Sequence, residues 1–224
     1  MKLQTARGVR DIPPEEKIVK IKVVTSLQSM FERYGFLPLE TPIIERFETL
    51  AAKGGAGTAS DALKETFTFQ DQGKRKLGLR FELTTSLARY VTQNPTLKLP
   101  FKRYEMGPVF RDGPIKLGRY RQFWQCDVDT IGTASMLADA EIVSLAQTFF
   151  NFWNLNVVIK VNNRKLLNGI LTQAGIKNKE NALIAIDKLE KIGIPGVKKE
   201  LQERKYTAVQ IKKVLSCIQE NITL

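Results

Sequence analysis

The 224-residue sequence contains no histidine and only two cysteines, and each shortage excludes a class of chemistry. Without histidine, Ser-His-Asp and Cys-His catalysis, a histidine general base and histidine-ligated metals are all excluded. Cys126 and Cys217 lie far apart and match no metal-ligand spacing, so neither a disulfide scaffold nor a structural zinc site is expected. Any chemistry must therefore use Arg, Lys, Asp, Glu, backbone dipoles or a bound ion.

Long hydrophobic segments are also missing. No stretch approaches the roughly 20 apolar residues of a membrane-spanning helix, and residues 1–7 lack the apolar core of a signal peptide. Apolar residues make up 43% of the chain, an ordinary fraction for a globular protein, so disorder is not expected. The composition predicts a soluble, intracellular protein with no membrane partner.

Positive charge is abundant and unevenly placed. The chain has 35 Lys and Arg against 23 Asp and Glu, a formal net charge of +12. Residues 160–224 carry 13 of these cations and 6 of the acids, which is +7 of the total. A basic balance favours nucleic acid or phosphorylated ligands. A Lys-rich solvated surface explains the same composition.

Helix and strand patterns predict a mixed α+β fold. The predicted elements are a helix from Pro13 to Gly35, strands at 36–40, 65–69, 76–83, 101–111, 121–131 and 157–161, and helices at 84–91 and 135–153. Hairpin links between strands favour an antiparallel sheet flanked by helices, not a doubly wound parallel sheet. After residue 162 short helices follow, the last opening on a capping box at Thr207–Gln210. We expect a mixed domain over 1–161 and a small helical domain over 162–224.

A glycine-rich segment at residues 53–58, KGGAGT, follows a short helix. It lacks both the GK[ST] ending of a phosphate-binding P-loop and a preceding buried strand. The pattern therefore indicates a mobile loop.

Period-two alternation places the polar side chains of three strands on one face of each strand. These positions are Arg80 and Glu82; Glu105, Gly107, Val109 and Arg111; and Phe123, Gln125, Asp127 and Asp129. The opposite face of the last strand, with Trp124, Cys126 and Val128, is predicted to be core. The solvated side of an antiparallel sheet would give the same pattern. The alternative is a binding surface of guanidinium, carboxylate and amide groups.

The loop between the two longest strands is basic. Residues 111–123, RDGPIKLGRYRQF, place four cations in a Gly/Pro turn beside an aromatic ring. Arginine suits bidentate phosphate contacts, and a purine can stack on a phenylalanine ring or a guanidinium plane. A hairpin of this kind can hold a nucleotide, although a generic basic loop matches part of the pattern.

These residues resemble a known family. Residues 107–111, GPVFR, followed by residues 118–125, GRYRQFWQ, resemble motif 2 of the class II aminoacyl-tRNA synthetases. The GRYRQF run is similar to that of the histidyl-tRNA synthetase family in particular. Several ordered blocks together are far more specific than one short motif.

Other blocks agree in order and spacing. RGVRD at 7–11 is similar to the family's N-terminal strand signature, TPIIE at 41–45 to the end of motif 1, and LRFELT at 79–84 to the amino-acid-binding strand. DAE at 139–141 follows motif 2 as in the family. The resemblance is strong over 7–142 and weaker in the helical remainder. It implies a partial class II catalytic core over residues 1–161 and an insertion-domain segment over 162–224.

The resemblance implies a histidine–tRNA ligase, cytoplasmic and homodimeric through motif 1. In that family the carboxylate of L-histidine attacks the α-phosphate of ATP, giving histidyl-adenylate and pyrophosphate, and the acyl group then moves to tRNA(His). Mg²⁺ would accompany ATP, since metal ions bridge phosphates in such sites. An α-carboxylate is already ionised at pH 7, so the first step needs no general base. The lack of histidine side chains agrees with this.

The resemblance also implies a role for individual residues. Arg111 matches the motif 2 arginine that contacts the α-phosphate and the substrate carboxylate, and is the implied catalytic residue. The implied histidine-binding residues are Glu82, Leu83, Thr84, Arg111, Gln125 and Asp129, and the implied ATP-binding residues are Arg111, Arg119, Arg121 and Phe123. Phe123 would stack on adenine, and no metal-ligating residue is implied. Asp127 is an alternative residue for binding the substrate ammonium. Asp129 is favoured because its spacing from Gln125 in the sequence matches the family.

The sequence departs from the family pattern in two places. Arg111-Asp112-Gly113 stands where many class II motifs read Arg-x-Glu, with the glutamate meeting adenine. The sequence given stops at Leu224, before any Arg-Gly-Leu-Asp-Tyr-Tyr block, motif 3 or anticodon-binding domain. The chain is therefore expected to be either an N-terminal fragment of a longer enzyme or a split or degenerate protein. We favour the fragment, which alone should activate histidine weakly or not at all.

Two other functions stay open. Paralogues similar to histidyl-tRNA synthetase act as regulatory subunits of ATP phosphoribosyltransferase and bind histidine without charging tRNA. Such a role would tolerate loss of Arg111, Phe123 or the GRYR loop, so their presence favours the synthetase. The basic segment 162–224 could also form a nucleic-acid-binding module, which predicts salt-sensitive tRNA binding.

Overall fold

The computed structural model describes residues 3–52 and 61–220, and the glycine-rich segment at 53–58 lies outside these ranges. The chain divides into two compact units, residues 1–157 and 158–224. In the described ranges, no helix combines the length and the apolar character needed to cross a bilayer.

The first unit is a mixed α+β structure, as the alternation and helix patterns predict. Its elements are α1 (Pro14–Arg33), β1 (Leu37–Pro38), β2 (Ile44–Arg46), α2 (Phe47–Ala51), α3 (Asp61–Lys64), β3 (Thr68–Gln70), β4 (Lys76–Leu79), α4 (Thr84–Gln93), β5 (Phe101–Phe110), β6 (Gln122–Ile131) and α5 (Met136–Phe152). Helix α1 begins at a proline followed by two glutamates, both favourable in a first turn, and Gly35 at φ +78° follows its end. Ser135 caps α5 by accepting a hydrogen bond from the Leu137 N–H.

The described strands form two three-stranded sheets, β1-β5-β6 and β2-β4-β3. Strands β5 and β6 form a ten-residue antiparallel ladder, and β3 and β4 form the predicted hairpin. The predicted antiparallel pairing is confirmed for the long strands, and the two-residue β1 pairs with β5 in parallel at the edge of the sheet. A parallel neighbour needs a crossover connection, and residues 39–100 provide it.

The core of the first unit lies on one face of the β5–β6 ladder. Phe31 and Phe36, from the end of α1 and the turn after it, pack with Tyr104 of β5 and Leu145 of α5. Cys126 and Val128 of β6 pack against this cluster as predicted, whereas Trp124 is exposed and lies beneath the Lys20 ammonium, 3.9 Å from its ring centroid. The other face of the ladder is therefore the polar one.

The strand predicted at 157–161 and the strand implied by the resemblance at 7–11 are absent from the described structure, and a third predicted strand is shorter than expected. Residues 155–163 form no strand in the described structure, and Val158 and Val161 are 85% and 72% exposed. Alternation alone does not make a strand, because its backbone groups need a neighbouring strand to pair with. Residues 7–11 form a turn in which the Val9 N–H donates to the Ala6 carbonyl.

The third correction concerns residues 80–83, where the predicted strand ends early, at Leu79. The Arg80 N–H donates to the Ile43 carbonyl, while the Arg80 carbonyl accepts from the Phe110 N–H. The chain therefore crosses from one sheet to the other at Arg80. It then turns into α4, with Leu83 already in helical backbone geometry.

The second unit is helical. It contains α6 (Arg164–Gln173), α7 (Lys179–Ile186), α8 (Leu189–Glu203) and α9 (Ala208–Glu220), around a core that includes Leu171, Val197, Leu201 and Val214. The predicted capping box is confirmed: the Thr207 N–H donates to Gln210 Oε1, and the Gln210 N–H donates to Thr207 Oγ1.

Candidate active site

The register of β5 and β6 places the polar side chains of both strands on one surface. Directly opposed pairs are Arg103 with Asp129, Glu105 with Asp127, Gly107 with Gln125 and Val109 with Phe123. Opposed residues of an antiparallel ladder point to the same face. The predicted sharing of a face is therefore confirmed, and it extends across both strands.

Glu105 lies at the buried centre of this face and is 2% exposed. Its Oε1 accepts hydrogen bonds from the Thr41 N–H (2.9 Å), the Thr41 hydroxyl (2.8 Å) and Arg80 Nη1 (2.9 Å). Charge-assisted hydrogen bonds of this kind are the strong ones in proteins. They join β5 to the segment between β1 and β2 and to the crossing at Arg80.

Arg80 is buried beneath β5. Its guanidinium also donates to the carbonyls of Pro108 and Thr41, both at 2.9 Å. A Cβ added at Gly107 would collide with Arg80 Nη2, which explains the glycine in GPVFR. Because Arg80 and Glu105 are buried, the interpretation of these positions as a solvated sheet surface is wrong.

Arg103 has no exposed surface, and its Nη2 lies 2.8 Å from Asp129 Oδ2. Its Nη1 lies 3.7 Å from Glu105 Oε2. A buried guanidinium between two carboxylates keeps a region rich in acidic groups close to electrical balance.

Asp127 lies between Glu105 and Asp129 on the same face. Burial raises the pKa of its carboxyl, and the negative charges of Asp129, Glu82 and Glu105 raise it further, while Arg103 opposes them. The raised pKa shows that the folded chain binds a proton here more readily than the unfolded chain does.

This raised pKa makes stability fall as pH increases from the ordinary aspartate range toward the folded-state pKa of Asp127, because only the unfolded chain loses the proton freely. Replacing Asp127 with asparagine removes that loss. We expect Asp127→Asn to gain stability relative to the parent between pH 4 and pH 7 in urea unfolding. The exposed Asp11, changed to asparagine, is the control and should show no such gain. If Asp127→Asn changes the free energy of unfolding by the same amount at pH 4 and at pH 7, the raised pKa of Asp127 is contradicted.

Glu82 caps helix α4 from the position before Leu83. Its two oxygens accept hydrogen bonds from the Thr84 N–H (2.9 Å) and the Thr85 N–H (2.8 Å), and the Thr85 hydroxyl also donates to it. A carboxylate offers about four acceptor positions, and these three hydrogen bonds occupy three of them. Leu83 is fully buried, while Thr84 is exposed.

Three buried acceptors on the polar face have no hydrogen-bond donor within the described residues, and one of them, Glu105 Oε2, faces Arg103 Nη1 at 3.7 Å. The other two are Gln125 Oε1 and Asp129 Oδ2. Asp129 Oδ2 is close to Arg103, but the pair does not meet hydrogen-bond geometry. A buried acceptor without a donor is costly. A ligand carrying N–H donors and a positive charge would satisfy both atoms.

Arg111 lies immediately after β5, between two aromatic rings. Its guanidinium carbon is 4.3 Å from the Phe81 ring centroid and 4.9 Å from that of Phe123, and its Nε donates to the Phe81 carbonyl at 3.3 Å. In the described part of the chain, none of the contacts of this guanidinium is with a carboxylate. Its charge is therefore available to an anionic group.

The other two predicted arginines are engaged with acids. Arg119 Nη2 lies 3.1 Å from Glu65 Oε2, and Arg121 Nη2 lies 2.9 Å from Asp112 Oδ1. The Arg121 N–H also donates to the Gly8 carbonyl, at a turn where a Cβ would come within 2.7 Å of the Arg121 side chain. The structure thus brings Glu82, Arg111, Phe123, Gln125 and Asp129 to one face, and holds Arg119 and Arg121 in the loop beside it.

Sequence reasoning did not single out Arg103 or Glu65. The period-two pattern carried a signal for Arg103, since it stands two residues before Glu105 on the polar side of β5. No local signal marked Glu65, which reaches Arg119 from 54 positions away.

A family model described as histidyl-tRNA synthetase matches residues 8–221. Histidine–tRNA ligase 1 of Bacillus anthracis is 46% identical over 99% of this chain and 53% of its own length. Histidine–tRNA ligase of Helicobacter pylori is 41% identical over 95% of this chain and 48% of its own length. The chain thus spans about half the length of the curated relatives it matches.

Solved structures agree with the sequence relatives. Histidyl-tRNA synthetase from Nostoc sp. PCC 7120 superposes with a TM-score of 0.83 at 32% identity, over 96% of this chain and 48% of that one. A Bacillus halodurans protein described as an ATP phosphoribosyltransferase regulatory subunit/histidyl-tRNA synthetase has a TM-score of 0.76 at 20% identity, which shows the shared fold alone. It covers 96% of this chain and 55% of that one. The chain belongs to the histidyl-tRNA synthetase family.

Proposed function

We propose that this chain contributes the amino-acid and α-phosphate subsites of a histidine–tRNA ligase. The observation that carries the proposal is the buried acceptor Gln125 Oε1, which has no donor within the described residues and lies on the same face as the Asp129 carboxylate and as Arg111, which has no carboxylate partner among those residues. The carboxylate attracts a cation and the guanidinium an anion. An α-amino acid carries both charges.

The α-ammonium group of histidine would bind at Glu82, Gln125 and Asp129. Two carboxylates and an amide oxygen are suitable acceptors for three N–H donors. Thr84 lies beside Glu82, and the Leu83 contribution is limited to its backbone because its side chain is buried. This part of the site recognises any α-amino acid, so it supports the substrate class rather than the imidazole ring.

Arg111 would act on the first chemical step. The carboxylate of histidine attacks the α-phosphorus of ATP, a P–O bond to the acyl oxygen forms, and the bond to pyrophosphate breaks. The guanidinium would draw the carboxylate and the α-phosphate together and stabilise negative charge at phosphorus. In the second step the ribose hydroxyl of tRNA(His) takes the acyl group and AMP leaves.

ATP would occupy the hairpin between β5 and β6. Phe123 offers a ring for adenine. Arg119 and Arg121 would leave their carboxylate partners and contact phosphates or the tRNA acceptor end instead. Mg²⁺ would enter on the ATP phosphates, which are its preferred ligands. We assign residues 1–161 to a partial class II core and residues 162–224 to the insertion-domain segment.

A homodimer through the motif 1 region is part of this proposal. Helix α1 exposes Ile18, Val19 and Ile21, and the neighbouring segments expose Leu37 and Ile44. Exposed apolar side chains in one region are typical of a protein interface. Light scattering of this chain at about 50 µM should give twice the monomer mass; the monomer mass would contradict the dimer.

The regulatory-subunit function is not favoured. Relatives at 41–46% identity carry the name histidine–tRNA ligase, whereas the Bacillus halodurans structure described as a phosphoribosyltransferase regulatory subunit/histidyl-tRNA synthetase is 20% identical.

The test is histidine-dependent exchange of pyrophosphate into ATP. The assay compares this chain with a chain continued by the second half of the Bacillus anthracis relative. We expect exchange in the continued chain with L-histidine and little in the chain alone. Exchange that does not depend on histidine, or none in a continued chain that folds, would overturn the proposed function.

A further inference from the structure

The Arg103 guanidinium lies in the interior, between two carboxylates of the polar face. Removing a guanidinium from water is costly, and replacing a buried ion pair with apolar residues is often neutral or stabilising. All three guanidinium nitrogens of Arg103 are buried without a hydrogen bond of good geometry in the described structure. A purely structural account would favour a leucine or methionine at this position.

The charges around Arg103 indicate another role. The face holds four carboxylates, Glu82, Glu105, Asp127 and Asp129, and Arg80 is already engaged with Glu105. Asp127 and Asp129 bear like charges close together on this face, and carboxylates in one site tend to take up protons. Arg103 is the cation that contacts one of them directly, at 2.8 Å from Asp129 Oδ2.

The geometry fixes the direction of Asp129. Arg103 and Asp129 are opposed in the ladder, so the guanidinium meets the carboxylate from the strand beside it. The Asp129 side chain is still 28% exposed, so the carboxylate can reach a ligand while Arg103 holds it from the buried side.

We propose that Arg103 is a positioning residue of the amino-acid subsite, which holds the Asp129 carboxylate oriented toward the substrate ammonium. This inference rests on the proposed function, because it assigns the ammonium to Asp129. Arg103 touches no substrate. It acts through Asp129, and it favours ligands that carry an amine over the same ligands without one.

The test compares two probes with this 224-residue chain by NMR titration: L-histidine and imidazolepropionate, which lacks the amine. The parent should bind L-histidine more tightly. Arg103→Met should weaken L-histidine binding about 10- to 100-fold, as for loss of a charged contact, and leave imidazolepropionate binding unchanged. Arg103→Lys should recover part of the loss because it restores the charge.

A second comparison keeps the test decisive if Arg103→Met folds poorly. In an Asp129→Asn background, Arg103→Lys should have little further effect on L-histidine binding, because the two residues act as one unit. Equal losses of affinity for both probes would overturn the proposed role of Arg103, as would additive losses in the double variant. Neither result would overturn the ammonium subsite. A parent that does not distinguish the two probes would overturn the ammonium subsite, and with it the proposal. The exchange assay tests the wider function separately.

Discussion

Replacing Glu105 with alanine is expected to lower the free energy of unfolding of the first unit by about 3–5 kcal/mol, because the change breaks a buried ion pair. Glu105 Oε1 accepts three hydrogen bonds, and Oε2 faces Arg103. Its removal leaves the positive charges of two buried guanidiniums, Arg80 and Arg103, without the negative charge of Glu105 beside them. A buried charge that loses its partner costs far more than the pair contributed.

The measurement is urea unfolding followed by tryptophan fluorescence. Both tryptophans, Trp124 and Trp153, lie in the first unit, so the signal reports this unit without the helical one. The control is Glu40→Ala, since Glu40 is exposed and surface substitutions usually change stability by within about 0.5 kcal/mol. A Glu105→Ala loss as small as the control's would mean that the buried network does not hold the polar face together.

The second large effect is on catalysis. Arg111→Gln in the continued chain is expected to reduce kcat/KM for histidine-dependent exchange about 100- to 1000-fold, the usual cost of removing a donor aimed at developing negative charge. Glutamine keeps a polar group but removes the charge and the fork that meets two oxygens at once. Stability should change little, because the Arg111 side chain is half-buried and the hydrogen bond from its Nε to the Phe81 carbonyl is 3.3 Å long.

The matched control is Arg164→Gln, an exposed arginine at the start of α6 in the helical unit. Its kcat/KM should stay within about twofold of the parent, which separates local chemistry from the general loss of one positive charge. A decrease in kcat/KM of less than threefold for Arg111→Gln would show that Arg111 takes no part in the chemical step.

Local patterns predicted most of the fold because they report local physics. The boundaries of α1 and α5 followed from proline, early acids and a serine cap, and the two long strands followed from alternation. The failures share a cause. Residues 157–161 alternate like a strand, yet strand formation depends on a partner elsewhere in the chain, and a single segment carries no information about that partner.

The candidate site was predictable in part for the same reason. Alternation placed Gln125, Asp129 and Phe123 on one face of β6. The register of the ladder then places the polar side chains of β5 on the same face. Burial was not predictable. Arg80 and Glu105 are charged residues of the kind usually found at a surface, yet they lie in the interior because they form a hydrogen-bonded ion pair across 25 positions of sequence. Long-range pairing of charges is a property of the folded chain and has no signature within one strand.

The most direct test of the account is a crystal structure of the continued chain with a non-hydrolysable histidyl-adenylate analogue. We predict an α-ammonium nitrogen within about 3.2 Å of Asp129 and Gln125, a phosphate mimic at the Arg111 guanidinium, and adenine against the Phe123 ring. An analogue bound on the opposite side of the β5–β6 ladder, or with its amine away from Asp129, would contradict the central claim.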